Sequence, residues 1–342
     1  MASTSKDVDS ASGSAVTVLP PLREDGTARN ARVGVLDIGS NAAQLQIVDV
    51  RPGGPPLPAY RVKHRTGLGS QIGDDGTITP KGIERVAGAT REAVAAATAH
   101  EVGRLFVFAT AAVRDADNRQ EVLDRVESLT KVRPEYLSGE DEARLTYTAV
   151  HRWYGWSAGR LLLLDIGGGS MEIALGRDAE PDLAVSLPLG AGRLTRAFLP
   201  DDPPARADVK ALRRHIRSTL REVTDRLRWE GAPACAIGTS KTFKQLARLT
   251  GSPPQRKGPF VPRSVDAADL DRWLPRLAKM PSKKRAKLQG VKRARAQQLL
   301  AGTLVARLTM EALDLRRVEV CPWALREGIL LHAIGQRART EV

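Results

Sequence analysis

The amino-acid sequence predicts an α/β protein of two domains. Short apolar strands alternate with helical patterns along the chain, which is typical of α/β folds. The 342 residues are ample for a buried core, and this length favours two domains over one. A strand–turn–strand pattern whose first strand ends in Asp-Ile also occurs twice, at Asp37 and at Asp165, about one domain apart.

The first half of the chain begins with a segment unlike the rest. Residues 1–30 are rich in Ser, Asp and Ala, and we expect a disordered lead-in because they carry too little apolar surface to offset the entropy of ordering. The predicted elements that follow are a strand over Arg32–Ile38, a turn at Gly39–Asn41, a strand over Gln44–Val50, a loop over Arg51–Pro56, a helix over Lys81–His100, a strand over Leu105–Ala109, a helix capped by Asp117 or Asn118 that ends near Leu129, and a helix over Ser138–Val150.

The second half continues the alternation. Its predicted elements are a strand over Leu161–Ile166, a glycine loop over Gly167–Ser170, a strand over Met171–Leu175, a helix over Arg206–Trp229, a strand over Ala234–Ile237, a helix over Lys241–Leu249, a loop over Gly251–Pro262, and helices for the remainder, the last from Ala324 to Gly335. We expect a first domain over 31–155, with a C-terminal helix over 324–338 packing back on it, and a second domain over 156–323.

Composition and charge narrow the classes of function. Lys and Arg number 53 against 39 Asp and Glu, a net charge of +14 that favours polyanionic partners. Cys235 and Cys321 form no CxxC pair, and the five histidines are scattered, so neither a disulfide framework nor a histidine-rich metal centre is expected. No apolar run approaches the roughly 18 residues that cross a bilayer. We therefore predict a cytoplasmic protein without a membrane partner.

The two glycine-containing turns are candidates for phosphate binding. Glycine lets backbone N–H groups approach phosphate oxygens, and an Asp at the strand end suits a hydrated magnesium ion. Either turn alone is equally compatible with an ordinary hairpin, but a matched pair favours phosphate. A Rossmann loop is excluded because Met171–Leu175 alternates like a strand. The Gly238–Thr242 turn is not a P-loop, although a helix that starts there would tolerate an anion.

The motifs together resemble one family, the exopolyphosphatase and guanosine pentaphosphate phosphohydrolase family of the sugar kinase, heat-shock protein and actin superfamily. The resemblance covers roughly residues 33 to 335. It rests on Val35–Asn41, Ala109–Asn118, Ser138–Leu145, Asp165–Glu172 and Trp323–Gly328, which occur in the family's order. It implies two actin-like (ribonuclease H-like) domains with a cleft between them.

The resemblance also implies roles for individual residues. Glu142 would be the base that takes a proton from the water attacking the terminal phosphorus. Without the resemblance, the consecutive acids Glu140, Asp141 and Glu142 would favour a solvated helix turn instead. Arg114 would clamp phosphate or, alternatively, pair with Asp115 or Asp117. The remaining roles are Mg²⁺ or Mn²⁺ binding by Asp37, Asp165 and Glu172, and phosphate binding by Gly39, Ser40, Asn41, Gly168, Gly169 and Ser170.

The chain departs from the family pattern at three places. Ala42 stands where many members have a hydroxyl residue, and Met171 stands where Thr is common. The all-helical C-terminal domain of longer members is missing, so the chain resembles the short two-domain form. A homodimer is expected from the family.

The function that the resemblance implies is release of terminal phosphate from inorganic polyphosphate. Seven basic residues without an acid in Lys283–Arg295 predict a polyphosphate track that includes Lys283, Lys284 and Arg285, unless this run is a solvated helix face. Guanosine pentaphosphate has the same terminal phosphoanhydride and stays open as the substrate. A kinase of the same fold or a polyanion-binding regulator are alternatives, whereas aromatic residues at 4% make nucleic-acid binding unlikely.

Overall fold

The computed structural model describes residues 17–18, 32–50, 54–68, 71–73 and 75–340. Most of the predicted lead-in over 1–30 lies outside the described residues. Within it, Thr17–Val18 form a short strand, β1, that pairs antiparallel with the strand at Leu105. No helix in the part of the chain described here is long and apolar enough to cross a membrane.

The described strands form two mixed sheets, one on each side of residue 155. The first sheet has the order β1-β5-β2-β3-β4, and β6 also pairs with β5. Its other strands are β2 (Arg32–Ile38), β3 (Ala43–Asp49), β4 (Pro58–His64), β5 (Arg104–Ala109) and β6 (Glu135–Tyr136). The second sheet has the order β11-β12-β10-β7-β8-β9. Its strands are β7 (Leu161–Ile166), β8 (Met171–Gly176), β9 (Leu183–Leu187), β10 (Cys235–Gly238), β11 (Ser264–Asp266) and β12 (Arg317–Val320).

The two sheets repeat one topology. In each, three antiparallel strands (β2-β3-β4 and β7-β8-β9) are followed by strands parallel to the first, β5 and β6 in one case and β10 and β12 in the other. The register is also equivalent, since Asp37 pairs with Gln44 and Asp165 pairs with Glu172 across the first hairpin. The repeat confirms the prediction of two actin-like α/β domains.

The helices cover both faces of the two sheets. They are α1 (Pro80–Ala99), α2 (Ala111–Arg114), α3 (Arg119–Thr130), α4 (Gly139–Tyr154), α5 (Ala191–Phe198), α6 (Arg206–Trp229), α7 (Ser240–Leu249), α8 (Ala267–Ala278), α9 (Ser282–Arg285), α10 (Leu299–Ala312) and α11 (Leu325–Thr340). One core forms between the first sheet and helices α1 and α3, and another between the second sheet and helices α5 to α8 and α10.

Helices α4 and α11 cover the remaining faces and cross each other. Helix α11 packs on the first sheet through Ile329 and Leu330, whereas α4 packs on the second sheet through Tyr147 and Val150. The backbones of the two helices meet at Gly328, where a Cβ atom would lie 1.9 Å from the carbonyl oxygen of Leu145. Only glycine permits this approach, which brings the start of α4 beside the strand ends of both sheets.

The predicted strands and helices agree with the structure to within a few residues, with two kinds of exception. Strands β4, β6 and β9 and helices α2 and α5 were not predicted, and the assignment of everything after Pro262 to helices is wrong for β11 and β12. These last two strands have three and four residues, too few to establish an alternating pattern. Strand β12 is nonetheless paired with β10 on one side and β11 on the other, so its strand conformation depends on these neighbours.

Candidate active site

The two glycine-containing loops meet between the sheets. The first loop (Gly39–Ala42) joins β2 to β3, and the second loop (Gly167–Ser170) joins β7 to β8. A Cβ atom on Gly168 would lie 2.5 Å from Oγ of Ser40, and one on Gly169 would lie 2.8 Å from Cβ of Ala111. The small residues of the second loop therefore allow the two domains to approach each other closely.

Both loops are held by hydrogen bonds from outside the hairpin. In the first loop, the hydroxyl of Thr66 donates to the carbonyl oxygen of Gly39 at 2.8 Å. In the second loop, the N–H groups of Ala191 and Gly192 at the start of α5 donate to the carbonyl oxygens of Gly167 and Gly168 at 3.0 and 2.9 Å. The backbone of each loop is thereby fixed before any ligand binds.

A cavity of about 230 Å³ lies between the loops, and we call it the carboxylate cavity. The start of α4 and the start of α7 complete its walls. Ten of the residues predicted for the site line it, namely Asp37, Gly39, Ser40, Asn41, Glu142, Asp165, Gly168, Gly169, Ser170 and Glu172.

The four carboxylates of this cavity all have raised pKa values, and neighbouring carboxylate charges add to the rise at Glu142 and Glu172. Burial is the largest cause for each, since removal from water disfavours the charged form. The pKa of Glu172 rises to about 7, because burial and the Asp165 charge outweigh hydrogen bonds from Ser170 and Ser186. The pKa values of Asp37 and Asp165 are also raised, although Arg326 lies 3.4 Å from Asp37 and the Thr239 hydroxyl donates to Asp165 at 2.6 Å.

Glu142 lies in the first turn of α4 and faces the other three carboxylates. The helix begins there because the Ser138 side chain accepts a hydrogen bond from the N–H of Asp141 at 3.0 Å and so caps the helix. Glu142 is 7% exposed, and Nη1 of Arg114 donates to its Oε1 at 2.5 Å. Burial and the charge of Glu172 raise its pKa well above the ordinary value, while Arg114 opposes that rise.

The donor set of the cavity fits a magnesium ion. Carboxylate oxygens are the ligands that Mg²⁺ prefers, and one or two of them suffice when waters and phosphate oxygens complete the octahedron. Among the residues with described positions, no three His, Cys, Asp or Glu side chains form a complete metal-binding group. The arrangement therefore suits a hydrated ion held partly by its phosphate ligand, and the raised carboxyl pKa values indicate a site that a cation would stabilise.

Arg114 does not line the carboxylate cavity. Its Nε atom donates to Asp115 at 2.9 Å, and Nη1 donates to the carbonyl oxygen of Leu137 at 3.0 Å besides Glu142. The structure thus has the ion pair with Asp115, one of the two alternatives considered above, and its role as a phosphate clamp stays a prediction.

A larger basic cavity of about 890 Å³ adjoins the carboxylate cavity, and the two share Gln44, Lys241, Lys244, Arg295 and Arg326. Among the described residues lining the basic cavity, Glu327 is the one carboxylate, and it already accepts hydrogen bonds from Gln46 and from the N–H of Ala324. The cations that line it are Arg61, Lys241, Lys244, Arg248, Lys292, Arg295 and Arg326.

Lys241 shows the effect of this concentration of charge. Its ammonium group donates to Oε1 of Gln44 at 2.9 Å, across the cleft from α7. Burial and repulsion from Lys63, Arg295 and Arg326 lower its pKa to about 7. Sequence reasoning identified the turn before Lys241 as an anion-tolerant helix start but did not assign the lysine. The positive φ of +64° at Ser240, which also lines the carboxylate cavity, marks the same turn as unusual.

Of the three residues predicted for the polyphosphate track, Arg285 is buried and is not available to a ligand. Arg285 is 2% exposed, and its guanidinium donates to the carbonyl oxygens of Met280, Ala296 and Gln297 and to Asp202. It anchors the segment instead of facing a ligand. Lys283 and Lys284 are exposed and line none of the cavities described above, so their role stays a prediction, whereas Lys292 and Arg295 of the same basic run line the basic cavity.

Met171, which differs from the residue common in the family, does not line the carboxylate cavity. Its side chain is buried in the core of the second domain, where the Thr309 hydroxyl lies 3.8 Å from its sulfur. Ala42 does line the carboxylate cavity, so a hydroxyl group at that position would face the ligand.

Comparisons with known proteins agree with this site. The model of the Ppx/GppA phosphatase family matches residues 46–336. Exopolyphosphatase 1 of Mycobacterium tuberculosis is 47% identical over 307 residues, which are 90% of this chain and 89% of that protein. Exopolyphosphatase 1 of Mycobacterium leprae is 44% identical, over 90% of this chain and 91% of that protein.

Solved structures show the same fold. A Ppx/GppA family member from Aquifex aeolicus is 26% identical with a TM-score of 0.73, over 90% of this chain and 98% of that one. An exopolyphosphatase from Cytophaga hutchinsonii, 24% identical with a TM-score of 0.81, covers 89% of this chain and 98% of its own and shares the fold. Because the family model covers most of the chain and relatives up to 47% identical are matched over nearly their whole length, the chain belongs to the Ppx/GppA phosphatase family.

Proposed function

We propose that this protein is a magnesium-dependent exopolyphosphatase that releases terminal phosphate from inorganic polyphosphate. The observation that carries the proposal is the pairing of a small carboxylate cavity with a larger basic cavity in one cleft. A linear polyanion needs many cations along its length but only one reactive end. The relatives named exopolyphosphatase, up to 47% identical, support the same substrate class.

The terminal phosphate would lie between the two loops. The backbone N–H groups of the first and second loops and the hydroxyls of Ser40 and Ser170 are available to its oxygens, since these residues line the carboxylate cavity. The preceding phosphates would lie in the basic cavity against Lys241 and Arg295, which line both cavities. Charge neutralisation by fixed cations is the main requirement for phosphoryl transfer.

Glu142 would act as the general base for the attacking water. It faces the phosphate position from the first turn of α4, and Arg114 keeps its carboxyl group oriented. Deprotonation of Glu142 is required for this role, so activity should rise with pH as its raised pKa is passed. The proton taken from water moves to the Glu142 carboxylate, and the oxygen bonds to phosphorus as the bond to the bridging oxygen breaks in line.

Asp37, Asp165 and Glu172 would hold the magnesium ion. When bound, the ion supplies charge neutralisation at the phosphate oxygens. The side chains themselves are oriented by the protein, Asp165 by the Thr239 hydroxyl and Glu172 by the Ser186 hydroxyl at 3.0 Å.

The test is phosphate release with magnesium from short polyphosphate, long polyphosphate and guanosine pentaphosphate. For Glu142→Gln we expect a kcat about 10²- to 10⁴-fold lower, as for loss of a general base. Glu140→Gln is the matched control, because Glu140 lies in the same helix turn, is exposed and pairs with Arg144.

Each outcome of this test has one meaning. Release from polyphosphate that Glu142→Gln abolishes and Glu140→Gln preserves supports both the substrate and the base. Release from guanosine pentaphosphate alone would contradict the substrate class. No release from any of the three would contradict hydrolysis and favour a polyanion-binding regulator on this fold.

A further inference from the structure

One carboxylate outside the cavity joins the two domains. Asp115 follows α2 in the first domain, and its Oδ1 accepts a hydrogen bond from Nε of Arg114 at 2.9 Å. Its Oδ2 accepts a hydrogen bond from Nη2 of Arg193 at 2.5 Å, and Arg193 lies on α5 of the second domain. Asp115 therefore binds one guanidinium from each domain.

Each of these arginines also contacts the candidate site. Arg114 donates through Nη1 to Glu142, the proposed base. Arg193 donates through Nε to the carbonyl oxygen of Gly169 at 2.8 Å, and its backbone N–H donates to the carbonyl oxygen of Gly168 at 2.9 Å. A continuous series of hydrogen bonds thus connects Glu142 on α4 with the second loop through Arg114 and Asp115 of the first domain.

We propose that Asp115 and Arg193 are positioning residues for the hydrolytic reaction. They hold Arg114 of the first domain in register with the second loop, so that the Glu142 carboxylate it contacts is aligned with the phosphate bound there. The inference rests on the proposed function, since it takes Glu142 as the base. Neither Asp115 nor Arg193 lines the carboxylate cavity, so their effect passes through Arg114 and the loop backbone.

Because the Asp115–Arg193 ion pair is partly exposed, its role in positioning can be distinguished from a contribution to folding stability. The side chains of Asp115 and Arg193 are 33% and 39% exposed. Ion pairs this exposed contribute about 0–1 kcal/mol to folding. A displacement of about 1 Å at a catalytic group, in contrast, lowers the rate as much as 10²-fold. A large loss of kcat with little loss of stability would therefore report on alignment.

The experiment compares Asp115→Asn, Arg193→Gln and the double variant, with kcat, KM for polyphosphate and the thermal midpoint measured for each. We expect each single variant to lose about tenfold or more in kcat while KM stays within about twofold. The double variant should lose no more than the worse single variant, because both changes break the same connection. Arg193→Lys keeps a cation opposite Asp115 and should recover part of the loss.

Glu84→Gln is the matched control, since it removes an exposed ion pair with Arg125 that lies wholly within the first domain. It should leave kcat unchanged. The proposal is overturned by a wild-type kcat in either single variant, by additive losses in the double variant, or by no recovery in Arg193→Lys. A wild-type protein that releases no phosphate would overturn the proposed function instead, so the two failures are distinguishable.

Discussion

The two adjoining cavities of the cleft differ in sign of charge, and each is unfavourable without a ligand. In the carboxylate cavity, burial raises the pKa of all four acids, that of Glu172 to about 7. In the basic cavity, clustered cations lower the pKa of Lys241 to about 7. A cation would relieve the first cluster and a polyanion the second. In the proposed function the two cavities divide the work, since one would carry the chemistry and the other would hold the chain of phosphates.

The two cavities are electrically coupled where they meet. Arg326 lies 3.4 Å from Asp37, and the charge of Lys241 lowers the pKa of the same aspartate. The positive charge of Arg295 likewise opposes the rise in the pKa of Asp165. A polyphosphate entering the basic cavity would therefore draw these cations toward itself, and a metal ion would replace them beside the carboxylates.

We expect the largest effect on polyphosphate binding from removal of cations in the basic cavity. The double variant Lys241→Met with Arg295→Met removes two cations that line both cavities. Charged hydrogen bonds contribute about 1.5–3 kcal/mol each, so we expect the loss of both to raise KM for long polyphosphate about 10²- to 10⁴-fold.

Lys81→Met is the control for this loss of charge, since Lys81 is exposed at the start of α1 and lines neither cavity. The double variant Lys241→Met with Arg295→Met can also be compared with substitutions at Lys283 and Lys284, where the sequence predicts a polyphosphate track. If Lys283→Ala with Lys284→Ala raised KM more than the cavity variant, the assignment of the basic cavity would be contradicted.

We expect a smaller effect on the affinity for polyphosphate from a change of pH. Because the pKa of Lys241 is about 7 in the free protein, it carries its charge at pH 6 and largely loses it by pH 8. Affinity for polyphosphate should therefore fall as pH rises, by a few-fold and by no more than about tenfold per unit. Steady-state KM between pH 6 and 8 measures this. In Lys241→Arg, whose guanidinium stays charged, the slope should disappear, and a slope unchanged from wild type would contradict the role of Lys241.

The smallest expected effect concerns stability at the carboxylate cavity. Glu172 has a folded pKa of about 7 against an ordinary 4.5, so the folded state binds more protons between these values. Stability without metal should therefore decrease as pH rises from 4.5 through 7. Glu172→Gln should remove this loss and stabilise the protein at pH 8 by on the order of 1–3 kcal/mol, a few degrees in thermal midpoint.

The control for this measurement is Glu222→Gln, which changes an exposed glutamate of α6. It should leave the thermal midpoint unchanged at both pH values. A Glu172→Gln protein that is less stable than wild type at pH 8 would show that the buried carboxylate contributes favourably and would contradict this account of the cavity.

Much of the catalytic half of the site could be predicted because its signals are local. The Asp-Ile strand ends at Asp37 and Asp165, the glycine turns after them, and the Ser138 cap before Glu142 are each contained in a few consecutive residues. Their repetition at equivalent positions in two sheets explains why the fold was also predictable.

The basic half could not be predicted in the same way because its residues are dispersed in sequence. Arg61, Lys241 and Arg326 come from three distant elements and meet only in the folded chain. The basic segment Lys283–Arg295, where the sequence predicts the polyphosphate track, contains Arg285. The partner of Arg285 is Asp202, which lies 83 residues earlier, and no local sequence pattern reveals this pairing. Likewise, β12 is defined by its neighbours on both sides and not by its four residues.

The most direct test of the division of labour is a side-by-side measurement of kcat and KM on long polyphosphate for Glu142→Gln and for Lys241→Met with Arg295→Met. The account predicts opposite signatures: a fall in kcat without a rise in KM for the first, and a rise in KM with kcat largely kept for the second. Equal losses in the same parameter for both variants would contradict it, because the two cavities would then not have separate roles.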